Sequence, residues 1–264
     1  MTRVNESSQT FANPAHRWAN PFYMGRVIRH RLRFLARKLR WLTVFLWRTV
    51  LANRPVHSDL RPGRRGLERC VTVYINLASR LDRRASMEQL FSENSIESTR
   101  IEAILAVPGA LGCAQSHVTA LSSPVVRNSP IMVCEDDLVF TVPREEVDLT
   151  VEEFLRNPAL DVLCLAYNLQ SQPVPVSKRL QITDNTQTTA CYVVKWHAVD
   201  ALKLCFLESV DELMSGADPA IAAIDIAWKR LQVGKLIFAV PRARLAVQRP
   251  GFSDIVGSVV DYGV

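Results

Sequence analysis

Short, nearly unbroken apolar runs alternate with amphipathic stretches along residues 70–240, and that alternation sets the expected architecture. Cys70-Val71-Thr72-Val73-Tyr74-Ile75-Asn76-Leu77 is β-rich and almost continuously apolar, as in a strand buried on both faces. Ser79 stands where a helix cap is expected, with Asp82 three residues on and Leu81, Met87, Leu90 and Phe91 spaced to face inward. Further strands are predicted near 98–103, 130–134, 161–166, 188–194 and 235–240, and helices over 110–121, 151–156, 197–214 and 219–232. Strands alternating with helices predict an α/β domain with a mostly parallel sheet. In such sheets ligands bind beyond the carboxyl ends of the strands. Asn76-Leu77 and Glu135-Asp136-Asp137 are both expected there.

The segment ahead of Cys70 has a different character. Residues 1–20 are polar, without the apolar run of a secretory signal, and are expected to form a disordered leader. Residues 21–52 interleave Arg26, Arg29, Arg33, Arg37 and Arg40 with Val27, Ile28, Leu32, Leu35 and Leu39, then run into Trp41–Trp47. This predicts a basic amphipathic helix, too short in its apolar part to span a bilayer, which takes about 20 residues. It suits the membrane interface, and equally a face packed on the following domain or a partner subunit. Residues 53–69, with Pro55, Pro62, Gly63 and Gly66, read as a linker into a domain over 70–264.

Charge follows the same division. Residues 1–69 carry fifteen Lys/Arg against three acids (Glu6, Asp59, Glu68), whereas the whole chain is only +6, so the domain itself is net acidic. A basic leader before an acidic domain argues against a nucleic-acid binder. The six cysteines stand singly and form no CxxC pair, which suits buried reduced thiols in a cytoplasmic compartment rather than a zinc-ribbon or disulfide framework.

The run Ile131-Met132-Val133-Cys134 ends in Glu135-Asp136-Asp137. Three carboxylates at the end of a buried strand repel one another unless a cation sits among them. Oxygen donors of this kind suit Mg²⁺ or Mn²⁺, ions that commonly hold a substrate's phosphates. An exposed acidic turn is the plainer alternative.

Four segments together resemble glycosyltransferase family 25, the lipopolysaccharide-type and collagen-type galactosyltransferases. They are 74–84 (Tyr-Ile-Asn-Leu-Ala-Ser-Arg-Leu-Asp-Arg-Arg), Gly112-Cys113-Ala114-Gln115-Ser116-His117, the acidic triplet, and a tail. The tail comprises Thr189-Ala190-Cys191-Tyr192, Ile224-Asp225, Gln248 and Ser253-Asp254-Ile255. The resemblance spans about residues 70–255 and rests on the order and spacing of all four.

It implies a GT-A-like, Rossmann-related domain that transfers a hexose, galactose foremost, from a UDP-sugar to a saccharide such as a lipopolysaccharide-type glycan. Glu135 and Asp137 are the expected metal contacts, since alternate residues of an extended segment point the same way. Asp136 is expected to turn toward the ribose or the sheet, or to be purely structural. Asn76, Arg80 and Arg83 match the family's opening turn and are expected at the donor, a guanidinium pairing with phosphate better than an ammonium does. Ala78 stands where the family often has an acid, which leaves that contact without a residue.

His117 is expected as a donor-site wall or a satisfied structural histidine, and Gly112 as a point of close helix approach. Asp225, in an otherwise apolar helix, is the expected general base, because desolvation raises a carboxyl's pKa. A structural acid is the alternative there, and Trp228 is expected in the core. Gln248, Ser253 and Asp254 are expected to close the site over the donor or metal. The basic leader would hold the enzyme at an anionic inner membrane surface. Two other readings stay open: a relative without turnover, and a phosphohydrolase or nucleotidyltransferase built on the same acidic edge.

Overall fold

The computed structural model describes residues 63–126, 128–253 and 258–261, together with helical residues 32, 35–36, 38–40 and 42–50. The polar leader 1–20, most of the first half of 21–52, linker residues 53–62 and Asp254 lie outside the described residues. The chain forms two compact units, 1–47 and 48–264. The described part of the first is helical, and Leu39, Leu46 and Trp47 are exposed.

The second unit is a mixed α/β domain. Its strands are β1 (Val71–Asn76), β2 (Ser98–Glu102), β3 (Ile131–Glu135), β4 (Leu138–Phe140), β5 (Val162–Cys164), β6 (Asn168–Leu169) and β7 (Val174–Pro175). After these come β8 (Leu180–Thr183), β9 (Thr186–Gln187), β10 (Cys191–Val194), β11 (Phe238–Pro241), β12 (Ala246–Gln248), β13 (Gly251–Ser253) and β14 (Ser258–Val260). Its α-helices are α1 (Leu81–Glu93), α2 (Gly109–Ser122), α3 (Arg144–Arg156), α4 (Trp196–Met214), α5 (Pro219–Ala222), α6 (Ile224–Ala227) and α7 (Lys229–Gln232).

Eight strands make one sheet in the order β2-β1-β3-β10-β5-β11-β8-β7. The three-strand edge β2-β1-β3 is wholly parallel, and β5 and β11 run the same way. β10 is antiparallel to both its neighbours, and β8 antiparallel to β11 and β7. Because the chain leaves β1 toward β2 and returns to β3 on the other side, the crevice beyond β1 and β3 is the topological switch point of the sheet. The register pairs Ile75 with Glu135, so Asn76 and Asp136 leave the sheet side by side at that crevice.

The core is continuous across the sheet and the helices over it. Val73, Val133, Val162, Tyr192, Val194 and Phe238 pack with Ala114, Leu121, Leu202, Phe206 and Trp228. Trp228 is completely buried and donates its indole N–H to the Thr186 carbonyl at 3.0 Å, which is the core role expected of it.

Three local expectations change. The N-cap of α1 is Arg80 rather than Ser79, without a side-chain cap, because the chain makes a further turn after β1 with Arg80 N bonded to Leu77 O. The predicted helix 219–232 is three four-residue pieces, separated at Ala223, whose ψ is 147°, and at Trp228. The end of the presumed linker, Gly66–Arg69, is a 3-10 turn whose Gly66 and Leu67 amides bond Glu152 and Asp148 on α3.

Candidate functional site

Each conspicuous residue of α2 does separate work at the switch point. A Cβ on Gly112 would collide with the Ile104 carbonyl and stand 2.9 Å from Ala106 N, so glycine is what lets segment 103–106 lie against the helix. Ser116 fixes that approach, accepting from Ile104 N at 2.8 Å and donating to Gly112 O at 2.6 Å. Cys113 and His117, one turn apart, share the helix face that meets the end of β3. They line a cleft with Asn76, Arg83, Ile104, Glu135, Asp136, Asp137, Gln248 and Ser253.

Asp136 and Asp137 share Arg83, while Glu135 faces His117 and Thr189. Asp136 receives Arg83 Nη1 at 2.6 Å and Asn76 Nδ2 at 2.8 Å. Asn76 is almost fully buried; its second amide proton goes to the Arg80 carbonyl at 3.1 Å and its oxygen accepts from Arg100 Nε at 3.1 Å. Both its amide protons are therefore donated within the protein, one of them to Asp136. Asp137 Oδ2 takes Arg83 Nη1 at 3.2 Å and Gln248 Nε2 at 3.1 Å, while Oδ1 is buried with no hydrogen-bond partner. Burial and the neighbouring Glu135 charge push the Asp137 carboxyl up to about 7, against the pull of Arg83. Glu135 is also buried, which raises its pKa, but the His117 imidazole and the Thr189 hydroxyl hold it below the usual carboxylate value.

Gln248 arrives through the tail: β12 pairs with β4, setting Gln248 opposite Leu138, and Arg249 N bonds the Asp137 carbonyl at 2.7 Å. Arg83 Nη2 also donates to the Phe252 carbonyl at 2.8 Å, and Ser253 lines the cleft. Arg80 pairs with Asp82 at 2.9 Å and reaches the Phe252 carbonyl at 3.4 Å.

A second cleft adjoins the first. It is lined by Ala110, Cys113, Glu135, Thr188, Thr189, Ala223, Ile224, Asp225 and Gln248. Cys113, Glu135 and Gln248 belong to both, so Asp225 faces the acidic edge across their junction. Burial, then the Glu135 charge, raise the Asp225 carboxyl above its ordinary value; the Thr188 amide and Lys229 oppose this. Thr188 holds that amide at a φ of 79°, a backbone region a β-branched residue rarely enters.

Sequence reasoning missed Thr189, Arg100 and Tyr192 as supports of the site. Thr189 and Tyr192 lay inside a motif already noted, while nothing in the alternating strand around Arg100 marked it. Among the described residues, the grouping with metal-ligand spacing is Cys113, His117 and Glu135, rather than the three acids of the triplet.

No protein-family model and no curated protein matches the chain. Among solved structures it is similar to a glycosyltransferase involved in the glycosylation of the major capsid of PBCV-1, at 11% identity and a TM-score of 0.35, covering 66% of this chain and 93% of that one.

Proposed function

We propose that the protein is a glycosyltransferase that moves a hexose, galactose foremost, from a UDP-sugar to a saccharide acceptor such as a lipopolysaccharide-type glycan, with inversion at the anomeric carbon. The observation that carries this reading is the junction of two clefts at Glu135, one holding the acidic edge with Arg83 and the other holding Asp225. A transfer between two substrates needs two such openings onto one point.

In this reading the first cleft takes the nucleotide sugar. Arg83, already bridging Asp136 and Asp137, turns its guanidinium to the diphosphate, and Gln248 and Ser253 close the site from the tail. Asp254 continues that tail and is assigned to the donor with them; His117 forms the wall beside the sugar. Arg80 lies at the rim, where a base or ribose would reach it. Asp225 accepts the proton of the acceptor hydroxyl as its oxygen attacks the anomeric carbon from the face opposite the diphosphate. The bond from that carbon to the phosphate oxygen breaks, and its electron pair leaves with UDP.

A divalent ion fits Glu135 and Asp137. The buried Oδ1 of Asp137, which has no hydrogen-bond partner, is an oxygen donor such an ion could take. Bound there, Mn²⁺ or Mg²⁺ would supply positive charge to the departing diphosphate. No helix among the described residues is long and apolar enough to cross a membrane. We assign the basic segment of residues 21–52, with its exposed Leu39, Leu46 and Trp47, to an anionic membrane surface on the cytoplasmic side.

A screen of UDP-hexoses read out by UDP release tests the reaction. Release from at least one donor, lost in Asp225→Asn, is the expected result. Cleavage of simple phosphodiesters or nucleoside triphosphates, with no UDP released from any sugar, would replace this reading with a phosphohydrolase.

A further inference from the structure

The donor groups of Cys113, His117 and Glu135 lie within 4.8 Å of one another, and their chemistry differs from that of the acidic triplet. A thiol, an imidazole and a single carboxylate are a soft-to-borderline set, poorly suited to Mg²⁺ and well suited to zinc. The spacing agrees. His117 Nε2 stands 3.3 Å from Glu135 Oε1, and two ligands about 2.0–2.1 Å from a tetrahedral zinc are separated by about that distance.

The histidine supplies an independent sign. His117 is 1% exposed, and its Nε2 is aimed at the cluster, with Glu135 Oε1 beside it but no well-formed hydrogen bond between the two. Two donor atoms held this close without a well-formed hydrogen bond are placed to share one ion. The other ring nitrogen is fixed: Nδ1 lies 3.1 Å from the Tyr192 hydroxyl, and the two rings stack with centroids 5.8 Å apart. Glu135 is fixed as well, by the Thr189 hydroxyl at 2.8 Å. Metal-binding histidines and carboxylates are commonly oriented by outer partners of this kind.

We propose that Cys113, His117 and Glu135 form a binding site for one zinc-type divalent cation, distinct in donor chemistry from the Glu135–Asp137 oxygen pair. Cys113 Sγ, His117 Nε2 and a Glu135 carboxylate oxygen are its ligands, and the Cys113 proton passes to solvent when the ion binds. All three residues line the cleft, so a fourth position faces it, the pattern of zinc sites that keep an exchangeable ligand. That ligand is an oxygen: water at rest, and a hydroxyl or phosphate oxygen of whatever occupies the cleft. The site stands on donor geometry alone and holds whether or not the protein transfers a sugar.

Cobalt titration of the full chain tests it, because Co²⁺ bound by a thiolate shows a sulfur-to-metal charge-transfer band. One equivalent of Co²⁺ is expected to develop that band together with the intense visible bands of four-coordination, and one equivalent of Zn²⁺ to bleach both. Cys113→Ser should abolish the charge-transfer band. Tyr192→Phe, which frees the His117 ring, should weaken cobalt binding about 10–100-fold. Asp137→Asn should leave the band in place, which separates this site from the oxygen pair. Absence of the band in the unaltered protein at saturating Co²⁺, or its survival in Cys113→Ser, would overturn the assignment; the first needs no variant to fold.

Discussion

The Asn76 amide, at the end of β1, donates to the Asp136 carboxylate at the end of β3 across 2.8 Å. That bond ties together the two strands flanking the topological switch point, and it helps hold the middle acid of the triplet, which shares Arg83 with Asp137. Asn76→Ala removes it together with the bond to Arg80 O, and takes the acceptor from Arg100 Nε. Hydrogen bonds to charged groups contribute about 1.5–3 kcal/mol each, so the variant should unfold at visibly lower denaturant and bind UDP more weakly. Chemical denaturation and UDP titration on the same preparation check both outcomes.

Asp225 should act as the base, and its surroundings set the pH at which it does so. A base works deprotonated, so the rate falls as pH drops through its pKa, and burial has raised that pKa. The acid limb of the kcat/KM profile is therefore expected above the ordinary carboxylate range. Lys229 pulls the pKa down, so Lys229→Met should move the limb to higher pH. Asp225→Asn should lower kcat about 100- to 10,000-fold while leaving UDP affinity within about twofold. A limb unmoved in Lys229→Met would argue that another group carries the proton.

Far from the site, Asp161 is a structural acid with a testable pH signature. It is 3% exposed and accepts from Arg48 at 2.5 Å and Ile237 N at 2.7 Å, with His197 Nε2 at 2.8 Å. Burial raises its pKa, but the His197, Ile237 and Arg48 contacts outweigh this and hold the carboxyl below its ordinary value. A depressed folded pKa stabilises the protein at pH values above the unfolded pKa, and that contribution is lost as pH falls through the folded pKa. Asp161→Ala should cost about 3–5 kcal/mol at neutral pH, because it strands its partners. Denaturation series at neutral and strongly acid pH should show the gap between wild type and variant closing in acid.

Gly112→Ala asks whether the close approach of segment 103–106 matters. The added methyl meets backbone atoms, which cannot rotate away as a flexible side chain would. Overpacking of this kind typically costs about 1–3 kcal/mol. A lower Tm is expected, together with weaker UDP binding, because Ile104 and Ala106 line the donor cleft. A variant with wild-type Tm and affinity would mean that the segment moves freely.

The strands that frame the site were legible because each is a buried apolar run with its chemistry at the end: Asn76 closes β1 and Glu135 closes β3. The direction of β10 was not. Four buried residues read alike in either orientation, and its antiparallel seat between β3 and β5 follows only from the whole topology. The break at Ala223 carried no proline or glycine signal; there the Ala222 carbonyl is taken by the Ser209 hydroxyl, a partner thirteen residues away. Helix α3 begins at Arg144, earlier than the apolar pattern implied, because its first turn is charged and only Val147 marks the buried face. Within the site, Asn76, Arg83, His117, the acidic triplet and Gln248 line one cleft, but which contacts each one makes was hidden. Nothing in the sequence says that Asn76 donates its protons inward or that Asp137 has an oxygen left over.

Isothermal titration of UDP into the protein, with and without Mn²⁺, bears most directly on whether the acidic edge is a nucleotide-sugar site. The account predicts saturable binding that strengthens at least about tenfold with Mn²⁺ and loses that gain in Asp137→Asn. Absence of UDP binding, or binding indifferent both to Mn²⁺ and to Asp137→Asn, would contradict it.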